Sequence, residues 1–214
     1  MKIKTKENIS IILEDILYPY KNELNEKKKK QLLLLVSLLK KWNKTHNITS
    51  IIETEDIISK HLFDSLSIKK FIDGAEILDV GTGGGFPGIP LAILSPQKNF
   101  TLVDSSQKKV AFLYEAKREL GLLNTECIHS RVESLTNKKF HIITSRAFGS
   151  LVDMVKKTKH LIKKDGLWLA MKGNIPKEEV SALDEEFVVK IEQLSTPKST
   201  EYNRHLVIIR QQSK

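Results

Sequence analysis

Two rhythms divide the chain. Through residue 71 apolar side chains recur at three- and four-residue spacing, and ENISIILEDILY, EKKKKQLLLLVSLLKKWNKTH and TEDIISKHLFDSLSIKKFI each predict a helix. In the second, Leu32, Leu35, Val36 and Leu39 share one face. In the third, Ile57, Ile58, His61, Leu62 and Leu66 form the stripe, and Thr54 is the expected N-cap. Past Asp73-Gly74, short apolar runs alternate with helical stretches. EILDVG (76–81), NFTLVD (99–104), TECIHS (125–130), FHIITS (140–145) and GLWLAMKG (166–173) read as strands, with helices expected over 87–94, 106–120 and 151–161. Such alternation implies right-handed βαβ units and a mostly parallel sheet. EFVVKIEQL and RHLVIIR have no helical pattern between them and predict an antiparallel hairpin at the edge of a seven-stranded α/β sheet. The expected organisation is a helical cap over 1–73 and an α/β domain over 74–214, packed as one compact unit.

Composition narrows the class. The chain has 214 residues, 40% of them hydrophobic, enough for a real core. Its longest apolar run, LLLLVSLL (32–39), is far too short to cross a hydrocarbon layer about 30 Å thick. Glu14 and Asp15 interrupt the apolar stretch near the start and no small-residue cleavage site follows, so no leader is expected. The lone Cys127 excludes an internal disulfide and suits a reducing compartment. A soluble cytoplasmic protein without a membrane partner is the expectation; the oligomeric state stays open, with a monomer favoured. The net charge of +9 comes from 30 Lys and 5 Arg against 26 acidic residues. It fits a polyanion partner, but a Lys-, Ile- and Asn-rich composition of AT-rich origin gives the same charge, so charge alone decides nothing. The four lysines at 27–30 read most plainly as a solvated first helical turn.

The stretch ILDVGTGGGFPGIPLAIL (77–94) carries the chemistry. It lies where a first strand hands over to a first helix, the position at which open α/β sheets bind ligands. Gly81, Gly83 and Gly85 let the backbone turn and approach a ligand, while Pro87 and Pro90 fall where a helix start tolerates a missing N–H. Gly83, Gly85 and Gly88 also spell the dinucleotide fingerprint G-x-G-x-x-G. Asp104 ends the second strand, where a carboxylate accepts hydrogen bonds from ribose hydroxyls of either NAD or S-adenosylmethionine. Asp79, two residues before Gly81, places a negative charge beside the loop. That charge repels a pyrophosphate and attracts a sulfonium and an ammonium, which favours S-adenosylmethionine.

The same residues resemble a known family. DVGTGGGFPGIPLAI is similar to the nucleotide loop of the bacterial glucose-inhibited division protein B family, the ribosomal RNA small subunit methyltransferase G enzymes. KWNKTHNITSI, ISKHLFDSL, TLVDSSQKKVAFL, SRVES, SRAFGSL, MKG and RHLVIIR follow the family's order, and the resemblance covers about residues 30 to 210. Lys60 stands where Arg often precedes the His, Gly84 where Pro is also seen, and Ile48 where Leu is usual. The resemblance implies a class I, Rossmann-like methyltransferase that moves a methyl from S-adenosylmethionine to N7 of a guanine in 16S rRNA of the small ribosomal subunit. By position it implies cofactor contacts at Gly81, Phe86, Val132, Glu133 and Arg146; Gly83 and Asp104 join them from the loop argument.

An sp² nitrogen such as guanine N7 is already nucleophilic, so the reaction needs orientation rather than a general base. Accordingly no catalytic base stands out. The motif Asn/Asp-Pro-Pro-aromatic does not follow FHIITS, and Cys127 lacks the Pro-Cys context of covalent pyrimidine methylation. Arg146, at a strand's carboxyl end, is the foremost catalytic candidate; its plainer reading is a structural ion pair. Lys172 and Arg204 are candidates for RNA phosphates. His61 and Trp42 read first as packing residues, Ser145 has no partner to make it a nucleophile, and the six histidines show no metal spacing, so no metal is expected. The alternatives are a small-molecule methyltransferase on the same fold, an NAD-linked oxidoreductase, and an RNA-binding module with a degenerate cofactor site.

Overall fold

The helical rhythm of the first third becomes α1 (Lys6–Ile16), α2 (Glu26–His46) and α3 (Thr54–Ile57), the last running on into a π-helical turn (Ile58–Phe63) and α4 (Asp64–Ser67). The structure, a computed structural model, describes residues 6–146, 148–197 and 202–212. Asn25 caps α2 by accepting the Lys28 N–H at 3.0 Å, and Asn47 ends it in the left-handed region at φ 47°. Thr54 is not the cap expected of it. Glu53 holds that position without a side-chain bond, and the Thr54 hydroxyl instead accepts from Lys40 of α2 at 2.5 Å. A partner on a neighbouring helix has displaced the local backbone bond.

The alternating runs become β1 (Glu76–Val80), α5 (Gly88–Leu94), β2 (Asn99–Asp104), α6 (Gln107–Leu120), β3 (Thr125–His129), β4 (Phe140–Arg146), α7 (Leu151–Thr158) and β5 (Ile162–Lys172). A short α8 (Lys177–Ser181), which no periodicity marks, precedes β6 (Phe187–Gln193) and β7 (His205–Gln211). Seven strands form one sheet in the order β3-β2-β1-β4-β5-β7-β6. The first five are parallel, and β7 lies antiparallel to both β5 and β6, as the expected hairpin requires. β5 starts four residues earlier than its apolar run because its beginning pairs back to Phe140 through an irregular register.

Strand residues alternate between two apolar layers. Ile77, Leu102 and Ile142 face a layer shared by α1, α2, α5 and α6, whereas Leu78, Val103, Ile143 and Trp168 face α7. Trp168 is fully buried, with its indole N–H donated to Thr158 Oγ1 at 2.8 Å. The N-terminal helices and one sheet face therefore share a single apolar cluster, into which Cys127 is also packed. Order within the sheet reverses at β1, with β2 on one side and β4 on the other. The crevice beyond the carboxyl ends of these strands is where such a sheet receives a ligand.

Leu39 lies in that shared layer, fully buried and against the glycine loop, where a Cβ on Gly84 would stand 3.4 Å from it. Leu39→Ala is expected to cost about 2–5 kcal/mol in urea unfolding, the range for a truncated core leucine. Leu34→Ala, on the 37% exposed face of the same helix, is expected to cost under about 1 kcal/mol.

Candidate active site

Asp79 organises the passage from β1 to α5. It is fully buried on the Ile77 face, and its Oδ2 accepts from Thr82 Oγ1 at 2.6 Å and from the Gly88 N–H at 2.8 Å. The start of α5 is therefore already occupied by an internal carboxyl oxygen, the kind of acceptor a helix N-terminus favours. Gly88 has to be glycine here: a Cβ would collide with Leu102 and stand 2.8 Å from Asp79 Oδ2. Most of the loop's other amides also turn inward. Gly81 and Thr82 donate to Val103 O, Gly85 and Phe86 to Thr82 O, and Ile89 to Gly85 O. A pyrophosphate needs such amides facing outward. The loop suits a ligand that places no phosphate there, the outcome expected from Asp79 by a different route.

The expected field of Asp79 is weaker than a free carboxylate's. Burial pushes its pKa up to about 7, against the bonds from Thr82 and Gly88 and the charge of Arg146. Its Oδ1 is buried without a partner among the described residues. An unpaired acceptor beneath the loop fits a ligand that brings a hydrogen-bond donor or a positive charge, as S-adenosylmethionine does.

A cleft of about 300 Å³ opens beyond β1, β2 and β3, and Gly81, Asp104, Val132 and Glu133 line it together. Asp104 anchors its floor. Oδ2 accepts the Gly83 N–H at 2.9 Å and Oδ1 the Ser106 N–H at 2.8 Å, which leaves each oxygen a further lone pair. Gly83 thus supports the carboxylate rather than lining the cleft. Lys109, Arg131, Phe148 and Lys157 also line it, residues assigned no role from the sequence. Phe148 closes over Gly81, whose added Cβ would meet its ring at 3.4 Å and whose φ of +64° no larger residue adopts cheaply. Lys157 stands 5.7 Å from the centre of the Phe148 ring and 3.9 Å from Glu133, bracing the third wall.

Phe86 and Arg146 lie on the far side of the loop, against the π-helical turn. The Arg146 guanidinium carbon is 5.3 Å from the Phe86 ring centre; Nη1 donates to Lys60 O at 3.0 Å and stands 3.4 Å from Asp64 Oδ2. Nη2 donates to His61 Nδ1 at 3.0 Å. A guanidinium only donates, so Nδ1 is unprotonated and His61 carries its hydrogen on Nε2, donated to Thr49 Oγ1 at 2.9 Å. Burial, then the charge of Arg146, lowers the His61 pKa to about 3. The ring also stacks on Phe86, centroids 4.5 Å apart. Asn43 completes the chain by gripping the Thr49 backbone on both sides, donating to its carbonyl at 2.7 Å and accepting its N–H at 2.9 Å. His61 is thus a satisfied buried histidine, and Trp42 packs edge-on against Phe112 at 5.7 Å.

Both residues expected to meet RNA phosphates have partners inside the fold. Arg204 Nε donates to Asp64 Oδ1 at 2.9 Å. Lys172 bonds both Glu179 oxygens, at 3.1 and 2.9 Å, and donates to Gly149 O at 3.1 Å, while Glu179 accepts the Leu151 N–H at 2.8 Å. The lysine thereby holds the segment that carries Phe148. Asp64, to which no sequence signal assigns a role, receives Arg204 and Arg146 on its two oxygens.

Asp79 yields a pH test. Its folded pKa lies above the ordinary carboxylate value, so the stabilising state is the protonated one, whose contribution is complete below about pH 4 and is lost progressively as pH rises to about 7. In Asp79→Asn the amide oxygen keeps both bonds of Oδ2 and no charge is buried. Its melting temperature relative to wild type is expected to rise steadily between about pH 4 and pH 7 and to exceed it by several degrees at pH 8. A difference independent of pH would show that Asp79 does not titrate.

Comparison with known proteins places this architecture. Residues 28–207 match the GidB family, rRNA small subunit methyltransferase G. A ribosomal RNA small subunit methyltransferase G from Pseudomonas aeruginosa is 47% identical over 189 residues, 87% of this chain and 88% of the relative. One from Legionella pneumophila is 50% identical over 167 residues, 78% and 79% of the two chains. A SAM-dependent O-methyltransferase from Thermotoga maritima, 11% identical, superposes over 71% of this chain and 66% of its own with a TM-score of 0.56, a likeness of fold alone. With the family pattern running through most of its length and close to half of the aligned residues shared with such relatives, the chain belongs to the rRNA small subunit methyltransferase G family.

Proposed function

We propose that this chain transfers the methyl group of S-adenosylmethionine to N7 of a guanine in 16S rRNA of the small ribosomal subunit, in the cytoplasm. The observation that carries this reading is the cleft beyond β1–β3, beside a loop most of whose amides are turned away from any phosphate, in a chain of this family. Asp104 accepts from the ribose hydroxyls through the lone pairs that Gly83 and Ser106 leave free. Gly81 lets the backbone approach, Val132 and Glu133 border the base, and Phe86 with Arg146 backs the loop on its other side. When bound, S-adenosylmethionine supplies an electrophilic methyl on a sulfonium. The acceptor N7 brings its own lone pair and no proton, so the side chains here hold and exclude water rather than shuttle hydrogen. Holding two reactants in line supplies roughly 7–11 kcal/mol of barrier reduction. Arg146 acts by geometry within this scheme, Lys172 holds the segment that carries Phe148, and Arg204, paired to Asp64 through Nε, is the cation offered to the acceptor RNA.

The test is tritiated methyl incorporation into small subunits from a strain lacking the modification, with the modified nucleotide mapped by mass spectrometry. Incorporation at a guanine N7 is the expected result; binding of S-adenosylmethionine without transfer to the subunit or its RNA would point to a small-molecule acceptor. Gly81→Val should weaken cofactor binding by roughly 100-fold, about 2.7 kcal/mol, through strain and collision with Phe148. Its far-ultraviolet circular dichroism should match wild type, and unchanged affinity would give the loop another role.

A further inference from the structure

A carboxylate removed from water tolerates its charge only when both oxygens are well paired. Asp64 is such a group: its side chain is 1% exposed, Oδ1 accepts from Arg204 Nε at 2.9 Å, and Oδ2 lies 3.4 Å from Arg146 Nη1. Burial raises its pKa even against both arginines. Three distant stretches meet on this one side chain: α4, the end of β4, and the segment leading into β7. The turn before it is π-helical, a form that recurs where a helix has a task beyond packing. Carbonyls of that turn are put to use. Lys60 O accepts from Arg146 at 3.0 Å and Ser59 O from Tyr202 Oη at 3.2 Å, and the Arg204 guanidinium carbon is 4.7 Å from the centre of the Tyr202 ring.

The two arginines are not equivalent. Arg146 is seated on Phe86 of the glycine loop, the donor side of the proposed reaction. Arg204 is more open, its side chain 27% exposed, and it borders Gly173, where an added Cβ would stand 3.4 Å from its Nη1. A single rigid carboxylate therefore sets the spacing between a cation on the loop and a cation facing outward.

We propose that Asp64 is a positioning residue for methyl transfer, holding Arg146 against the cofactor loop and Arg204 toward the acceptor RNA at a fixed separation. The inference rests on the proposed function, because the acceptor side has a meaning only if RNA is the substrate. In-line transfer depends on ångström placement of its two reactants, so a residue that sets this spacing acts on turnover more than on either binding step. Asparagine at this site accepts with one oxygen only and turns an N–H toward the other guanidinium. Lysine in place of Arg204 keeps the charge but loses the Nε donor and the planar fork.

The experiment uses the full chain as wild type, Asp64→Asn and Arg204→Lys. It measures melting temperature, S-adenosylmethionine affinity by titration calorimetry, and kcat and KM on unmodified small subunits. Both variants are expected to lose about 10-fold or more in kcat while cofactor affinity and KM stay within about threefold and melting remains above the assay temperature. A purely structural Asp64 would lower melting temperature and cofactor affinity together, leaving kcat per cofactor-binding molecule at the wild-type value; that result overturns the proposal. Should Asp64→Asn fail to fold, Arg204→Lys decides alone, and wild-type kcat in it overturns the proposal. A wild-type protein that binds the cofactor yet methylates no subunit overturns the proposed acceptor instead, so the two failures are distinct.

Discussion

A guanidinium held away from water sets the terms for the crevice. Arg146 stands at the end of the central strand β4, where burial pulls its pKa below the ordinary value although Asp64 opposes that shift. Its buried donors need acceptors, and the sheet offers none of those described. They come from one turn of the N-terminal helices: the Lys60 carbonyl, the His61 ring and the Asp64 carboxylate. The helical layer is therefore held to the sheet edge twice, by an apolar cluster that fixes how closely it sits and by a polar cluster that fixes its angle. Apolar contacts alone tolerate sliding, whereas satisfied buried hydrogen bonds do not.

The same economy governs the glycine loop. Asp79 folds it by receiving Thr82 and Gly88, and Asp104 fastens its middle by receiving Gly83. Each acid lies at or near the end of a parallel strand, so the loop's shape is inherited from the sheet. Folding the loop and choosing its ligand are one act: amides that complete the turn are no longer available to an anion.

The sheet and its helices were legible because each strand is a short apolar run bounded by turn residues, and because α2 and α6 present clear apolar faces. Local signals erred where a distant partner intervened. Thr54 has the chemistry of a cap but bonds Lys40, and β5 extends back past its apolar run to pair with Phe140. The short α8 buries no residue and so leaves no pattern. Within the crevice, Gly81 and Asp104 meet because a glycine loop and a strand end carry position in their order, whereas Val132 and Glu133 were marked only by the family resemblance. Phe148 and Lys157 do not announce themselves, being ordinary residues brought near by the loop after β4. The polar chain from Asn43 through Thr49 and His61 to Arg146 joins positions over a hundred residues apart, and no local periodicity encodes such a join. Asp64 escapes notice for the same reason: within HLFDSLS it reads as a helix polar residue, and its two arginines lie 82 and 140 residues away.

Arg146, Arg204 and Lys172 are committed to partners within the fold, and this divides the protein's cations into two populations. Arg146, Arg204 and Lys172 sit in pairs partly or wholly shielded from solvent, which screening ions reach poorly. Most of the 30 lysines belong to the other population, a diffuse field that counterions weaken readily. Ionic strength thus becomes a dial on encounter with a polyanion, one that turns without disturbing the shape of the place where the encounter ends.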